Sequence, residues 1–227
     1  MRIAAPFAVT LALSLVGISL PAHASLFDFE DQTPTFTSPP NTSRPGSLPS
    51  LTMVKDGLQV TIFRNNTAFF DLVSNTGSQG NKPASYQSVS LDPFLNLSGF
   101  FIATFSEAVT SISIDMGDYN GTAASPGDID NLFLTAFSGV GGTGTQLAQA
   151  TGTNDNAVLT AGFTSQTLVV SATGIRSIAF GGGSTAFPNS VFYDNLNVTI
   201  AAPEPSSLAF VLSVIGTAGM VLRKRRK

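Results

Sequence analysis

The sequence lacks cysteine and tryptophan altogether, and His23 is its only histidine. Without cysteine the chain has no disulfide, no thiolate metal site and no cysteine nucleophile. His23 lies close to the amino terminus, so residues 24–227 contain no imidazole group. These absences exclude Ser-His-Asp triads, histidine-based acid–base catalysis and the usual zinc sites. We therefore expect no catalytic residue in this protein.

Positive charge is also scarce between the two ends of the chain. Residues 25–202 hold five basic and thirteen acidic residues, and five minus thirteen gives a formal net charge of −8. The basic residues are Arg44, Lys55, Arg64, Lys82 and Arg176. Scattered cations on an acidic body do not neutralise a run of phosphates, so nucleic acid is not an expected partner. The acidic composition of residues 25–202 is consistent with solubility outside the cell and with cation binding.

The amino terminus has the pattern of a secretory signal peptide. Arg2 precedes an uncharged, mostly apolar stretch, and Ala22 and Ala24 then form an A-x-A cleavage site before Ser25. We expect signal peptidase to remove residues 1–24. The alternative, a retained membrane anchor, leaves the small residues of the cleavage region unexplained.

The carboxyl terminus has three successive parts. Pro203, Glu204 and Pro205 are followed by the uncharged segment 206–222 and by five consecutive cations at 223–227. The apolar segment is short for a bilayer core of about 30 Å, but the bilayer can thin and basic side chains can snorkel. Five cations favour a cytoplasmic end, so the rest of the chain would lie outside.

This order of motif, apolar helix and basic cluster resembles the PEP-CTERM sorting signal, which is also labelled the ice-binding protein C-terminal domain. The resemblance covers residues 203–227. In that family a membrane protease-transpeptidase, exosortase, is thought to recognise and remove the tail in Gram-negative bacteria that make exopolysaccharide. The resemblance implies an inner-membrane intermediate and a final place at the cell surface or in the matrix. The resemblance implies nothing about ice binding or about residues 25–202. The alternative interpretation, a plain C-terminal anchor, would explain the apolar segment and the cations but not Pro-Glu-Pro.

Between the ends, apolar and polar residues alternate with period two, most clearly at 58–62, 111–114 and 195–200. Such alternation predicts half-buried strands. The other predicted strands are 26–30, 68–73, 86–91, 99–106, 131–138, 157–163, 167–172 and 175–180. No segment of the body has a helical stripe. The sequence therefore predicts an all-β body at 25–202, an antiparallel β-sandwich of jelly-roll type.

Acidic residues lie at both ends of this predicted body: Asp28, Glu30 and Asp31 at the start, and Asp194 near the end. The arrangement resembles carbohydrate-binding jelly rolls, whose terminal strands pair and can hold a structural calcium ion. Converging carboxylates repel unless they share a cation, and Ca²⁺ takes six to eight oxygen ligands. Asp28, Glu30 and Asp194 are therefore candidate calcium ligands. In the alternative interpretation these acids face water and prevent edge-to-edge strand pairing.

A second acidic cluster lies in the middle of the sequence. It comprises Asp115, Asp118, Asp128, Asp130 and Asn131. The spacing is not that of an EF-hand, although carboxylates of one loop could converge on calcium. We favour a solvated acidic loop as the interpretation of this cluster.

These observations predict an exported, surface-sorted, non-enzymatic protein of the extracellular matrix, exopolysaccharide or biofilm. Its partners would be polysaccharide, other matrix proteins or further copies of itself. One alternative is a carbohydrate-binding module, which a concave face lined by Tyr and Asn would favour. Another is a glycoside hydrolase that uses carboxylates alone, which a deep cleft with two facing acids would favour. Flat polar faces would favour the structural role.

Overall fold

The computed structural model describes residues 22–33, 48–66, 69–74, 89–92, 99–119, 128–155, 163–185 and 190–201. The chain divides into two compact units, His23–Ala201 and a unit made of Met1–Ala22 and Ala202–Lys227. Except for Ala22, the second unit lies outside the described residues. The predicted strand at 157–163 also falls outside them, apart from its last residue.

Ten strands account for nearly all of the described secondary structure. They are β1 His23–Phe27, β2 Ser50–Lys55, β3 Leu58–Arg64, β4 Asp71–Ser74, β5 Val89–Asp92, β6 Phe101–Tyr119, β7 Ile129–Phe137, β8 Gln146–Asp155, β9 Phe163–Gly183 and β10 Phe192–Ile200. A single turn of 3₁₀ helix, Val140–Gly142, lies between β7 and β8, and the described residues contain no α-helix. The prediction of an all-β body is confirmed, whereas the sandwich and jelly-roll architecture stays a prediction.

All strand pairs are antiparallel, and β6 and β9 form the centre of the sheet. These two strands pair from Phe101 opposite Phe180 to Tyr119 opposite Phe163. β3 pairs with the first part of β6 and β10 with its later part, while β7 pairs with the last part of β9. β1 and β5 extend the sheet beyond β10, β4 pairs with β5, β2 with β3, and β8 with β7.

Irregularities in β6 and β9 let each strand bend and pair with different strands along its length. The β6–β9 register shifts between Thr104 and Val109 and again before Ser111. Gly174 has φ +80° within β9, a left-handed conformation that glycine adopts without the penalty of a Cβ atom. Bulges of this kind increase local twist and bend a strand without ending it. The predicted pairs of short strands, 99–106 with 111–114 and 167–172 with 175–180, are therefore single long strands.

The β2–β3 hairpin shows how local sequence sets register. Lys55 pairs with Leu58, so Asp56 and Gly57 form a two-residue turn. Both have positive φ, +53° and +85°. Positive φ at both central residues is the requirement of a type I′ turn, for which Asp-Gly is a preferred sequence.

The hydrophobic core is one continuous cluster in which Phe101 makes several aromatic contacts. Its ring centroid lies 5.3 Å from that of Phe70, 5.4 Å from that of Phe180 and 5.4 Å from that of Tyr193. The guanidinium carbon of Arg64 lies 5.5 Å from the same ring centroid. Offset and edge-to-face pairs at these separations add to the free energy gained by burial. Phe101 thus joins β3, β9 and β10 at the centre of the body.

Replacing Phe101 with alanine should therefore strongly destabilise the body. Loss of a buried phenylalanine leaves a cavity, and we expect the free energy of unfolding to fall by about 3–5 kcal/mol. Urea denaturation of the purified full-length chain measures this change. The matched control is Val54→Ala, because Val54 is 65% exposed and its loss should cost roughly 0.5 kcal/mol or less. Equal effects of the two substitutions would contradict the central position of Phe101.

Candidate functional site

One surface of β10, β6 and β9 carries short, mostly polar side chains in register; we name it the polar face. Its two cross-strand rows are Thr199, Ser111, Ser171 and Asn197, Ser113, Val169. All six residues are exposed or half-buried. Ala24 and Leu26 of β1 continue the two rows at one edge. All six side chains are short and uncharged, and five of them can form hydrogen bonds.

Hydroxyl groups of the polar face bond to each other and to the backbone. The Oγ atoms of Ser111 and Ser171 lie 2.9 Å apart, and Ser111 Oγ donates to the carbonyl oxygen of Val170 at 3.4 Å. A hydroxyl offers one donor and two lone pairs, so these bonds leave acceptor capacity directed to the outside. The face can therefore accept hydrogen bonds from an extended hydroxylated partner.

Beside the polar face, the register pairs two acids, Asp194 of β10 and Asp115 of β6. Asn195 lies between them: its backbone N–H donates to Asp194 Oδ1 at 2.7 Å, and its Nδ2 donates to Asp115 Oδ2 at 2.9 Å. Thr167 Oγ1 donates to the other oxygen of Asp115. Asn195 has φ +50° and lies at a register shift of β10. The bulge thus directs the amide towards Asp115, and N–H and O–H groups stabilise both carboxylates.

The structure pairs the first and last strands, as the calcium prediction requires, and Phe27 lies opposite Leu196. Asp28 and Glu30 follow β1 and are half-buried, whereas Asp194 is 1% exposed. The described residues contain no group of three or more His, Cys, Asp or Glu side chains placed to hold a metal ion. Calcium binding by Asp28, Glu30 and Asp194 stays a prediction.

The second acidic cluster divides between two strands. Asp115 and Asp118 belong to β6, whereas Asp128 and Asp130 lie at the start of β7. Asp130 is 0% exposed, and its Oδ1 accepts a hydrogen bond of 3.0 Å from Ser190 Oγ. The expectation of a solvated acidic loop is therefore wrong for Asp130, because the face of β7 that carries it turns into the body.

The predicted signal-cleavage residues lie in or beside β1. Ala22 precedes the strand, and Ala24 pairs with Thr199. Ser25 is fully buried, and its Oγ donates to Asp56 Oδ2 at 3.1 Å. In this fold the bond between Ala24 and Ser25 therefore lies inside a paired strand.

The predicted sorting tail lies outside the described residues. This applies to Pro203, Glu204 and Pro205, to the apolar segment 206–222 and to the basic end 223–227. Within the part of the chain that the structure describes, no helix has the length and apolarity needed to cross a membrane. The sorting motif and the transmembrane segment stay predictions.

Three residues that complete these sites were not singled out by sequence reasoning. Asn195 and Thr167 hold Asp115, and Ser190 holds Asp130. Asn195 carried a weak signal, because asparagine tolerates positive φ better than most residues. The partners themselves lie 52 to 80 residues away in sequence, so strand register alone brings them together.

A scan against protein-family models finds no match, and no curated protein is significantly similar to the chain. Among solved structures, the K2 cleaved adhesin domain of Lys-gingipain is similar with a TM-score of 0.36 and 14% identity, over 78% of this chain and 98% of that chain. The K3 cleaved adhesin domain of Lys-gingipain from Porphyromonas gingivalis W83 gives a TM-score of 0.31 and 11% identity, over 81% and 93%. These TM-scores are too low to establish a common fold.

Two substitutions of Asn195 separate its backbone role from its side-chain role. Asn195→Gly keeps the freedom to adopt positive φ but removes the bond to Asp115, and should cost about 0.5–1.5 kcal/mol of unfolding free energy. Asn195→Ala also forces a Cβ into the left-handed region, and should be the less stable variant by about 1 kcal/mol. Urea denaturation of both full-length variants measures the difference. An alanine variant as stable as the glycine variant would contradict this account of the bulge.

Proposed function

We propose that this protein is an exported, surface-sorted, non-enzymatic component of the extracellular matrix or exopolysaccharide, with a tail that exosortase recognises. The sequence pattern of residues 203–227 supports sorting, and that of residues 1–24 supports export. The observation that carries the role of the body is the polar face, a surface of short, mostly hydrogen-bonding side chains. Such a surface suits contact with polysaccharide chains, with matrix proteins or with further copies of the protein.

The pairing of β1 with β10 is compatible with this sorting route. His23 pairs with Ile200, so the chain enters and leaves the body at neighbouring positions of one antiparallel strand pair. Residues 1–24 and 203–227 each carry an uncharged apolar segment.

The fold that we infer for the body is a β-sandwich of jelly-roll type. One hydrophobic cluster contains Met53 of β2, Leu134 of β7, Ile114 of β6 and Val198 of β10. A sandwich, in which two parts of the sheet pack face to face, would let side chains from these strands share one core. The antiparallel pairing of the first and last strands is compatible with the same architecture.

Two observations favour the structural role over the alternatives. Tyr193 is buried in the core, so this tyrosine provides no platform for a sugar ring. Asp194 and Asp115 are one pair of facing acids of the kind that a hydrolase would require, but Asp194 is 1% exposed and accepts a bond from its neighbour's backbone. A catalytic carboxylate must reach the scissile bond. Burial of Asp194 argues against this pair as catalytic residues.

Processing of the chain tests the sorting part of the proposal. In a host with exosortase, we expect the extracellular protein to begin at Ser25 and to lack Leu208 to Lys227. Intact-mass analysis of the secreted protein measures both ends. The control is the same gene in a strain without exosortase, where the tail should remain. A mature extracellular species that retains the tail in the exosortase host would contradict the proposal.

A matched pair of arginine substitutions tests the role of the polar face. Ser113→Arg adds a long charged side chain in the middle of the face, and Thr52→Arg makes the same change at an exposed position of β2. We expect Ser113→Arg to weaken binding of the full-length protein to host exopolysaccharide or matrix by roughly fivefold or more, as for a residue central to an interface. A sedimentation assay with insoluble polysaccharide measures binding.

The control variant Thr52→Arg should bind like the unsubstituted protein. Equal binding by both variants would show that the polar face is not the contact surface. Tight binding to one defined oligosaccharide on a glycan array would instead identify a carbohydrate-binding module.

A further inference from the structure

Two polar residues are buried opposite each other at the end of the β7–β8 pair. Asp130 lies directly across from Asn154, and the two are 0% and 4% exposed. Cross-strand partners project from the same side of a sheet, with Cβ atoms about 4.5–5.5 Å apart. Asn154 is the one fully buried residue of β8. The side-chain amide of Asn154 is therefore buried at the position that pairs with Asp130.

Two further side chains belong to the same place. Ser190, in the segment just before β10, donates to Asp130 Oδ1 at 3.0 Å. Asp128 lies two residues before Asp130, the spacing that returns a side chain to the same face of an extended chain. The four residues come from three segments of the chain, at the start of β7, the end of β8 and the approach to β10. We name them the β7–β8 polar cluster.

Two atoms of this cluster are buried and have no hydrogen-bond partner, Asp128 Oδ2 and Asn154 Nδ2. Leaving a buried acceptor or donor unsatisfied costs about 1–3 kcal/mol for each group. The cost is higher for a carboxylate that stays charged. A bound ligand would satisfy each of these two groups. Asn154 is an observation independent of the acids, because it is an uncharged amide from another strand.

A cation satisfies both groups at once. A rotation of Asn154 about its terminal bond exchanges the nitrogen and the oxygen of its side-chain amide. The buried atom then becomes an oxygen on the side of the sheet that carries Asp130. A cation placed between Asp128, Asp130 and this oxygen removes the repulsion of the two carboxylates and uses the free lone pair of Asp128.

We propose that Asp128, Asp130, Asn154 and Ser190 bind one calcium ion. Two carboxylates, one amide oxygen and one hydroxyl offer about four to six oxygen atoms, and water can complete the six to eight that Ca²⁺ takes. All four residues offer hard oxygen ligands, so the site would not prefer a metal that binds sulfur. The site differs from the predicted one at Asp28, Glu30 and Asp194, with which it shares no residue.

The ion would hold three parts of the body together. With only two carboxylates the site should be of the weak class, with a dissociation constant on the order of 10⁻⁴–10⁻³ M. Such a site fills at millimolar calcium outside the cell. At a tenfold excess of calcium over the dissociation constant, the midpoint of thermal unfolding should rise by about 3–6 °C for a body of this size.

The test uses the full-length chain in mild detergent, stripped of metal with EDTA and then dialysed. We expect isothermal titration with CaCl₂ to show one bound ion, and thermal unfolding to show the rise in midpoint. Asp128→Asn should weaken calcium binding by on the order of tenfold or more, because affinity depends on the number of charged ligands. Asp128 is only half-buried, so this variant should fold. Asn154→Leu, which fills the same space without an oxygen, is the second variant and should bind less calcium.

The matched control is Glu107→Gln, which removes an exposed acid of β6 that belongs to neither candidate site. It should leave calcium binding unchanged. Loss of binding in Asp28→Asn but not in Asp128→Asn would overturn the proposal and place the ion at the terminal strands. Absence of binding at 10 mM calcium, about ten times the weakest expected dissociation constant, would also overturn it. Equal stabilisation by MgCl₂ would overturn the assignment of calcium, because Mg²⁺ demands octahedral geometry and gives up its waters reluctantly.

Discussion

The pairing of β6 with β9 is the interaction on which the other strands depend. β3 and β10 reach the sheet through β6, and β7 reaches it through β9. β1, β2, β5 and β8 attach to these three strands, and β4 attaches through β5. Two strands of 19 and 21 residues are long for a globular protein, where strands of about five or six are usual. They stay paired because the bulge of β6 and Gly174 of β9 bend them together. One pair can therefore contribute to every part of the core.

Sequence patterns predicted most of the strands but not their continuity or their edges. The alternation at 58–62 and 195–200 marked β3 and β10, because one face of each is buried in the core. β8 was missed because Gln146–Asp155 has few apolar residues and, at the sheet edge, only one buried position. β2 was missed although Asp56-Gly57 is a strong hairpin signal next to it. Edge strands give a weak pattern because little of their surface leaves water.

The candidate sites were predicted less well than the fold, since they depend on register between distant strands. In β7 the residues at 129 and 133 are apolar, as are those at 132 and 134, so alternation does not decide which face is buried. Pairing with β9 and β8 decides it, and Asp130 is carried inward with Leu132. The acids were visible in the sequence. Their partners, an amide from β8 and a hydroxyl before β10, were not, because no local pattern links them.

The topology also bears on the order of export and folding. The bond proposed for signal cleavage lies within β1, which among the described strands pairs with β10 alone. At roughly 5–20 residues per second of synthesis, β10 follows β1 by on the order of ten seconds. During that interval β1 has no partner, so a protease can bind the chain around Ala24 in an extended form. Once β10 arrives, Ser25 is buried and the same bond is protected. If the signal peptide is cleaved after Ala24 as proposed, the pairing of β1 with β10 would place that cleavage before the folding of β1.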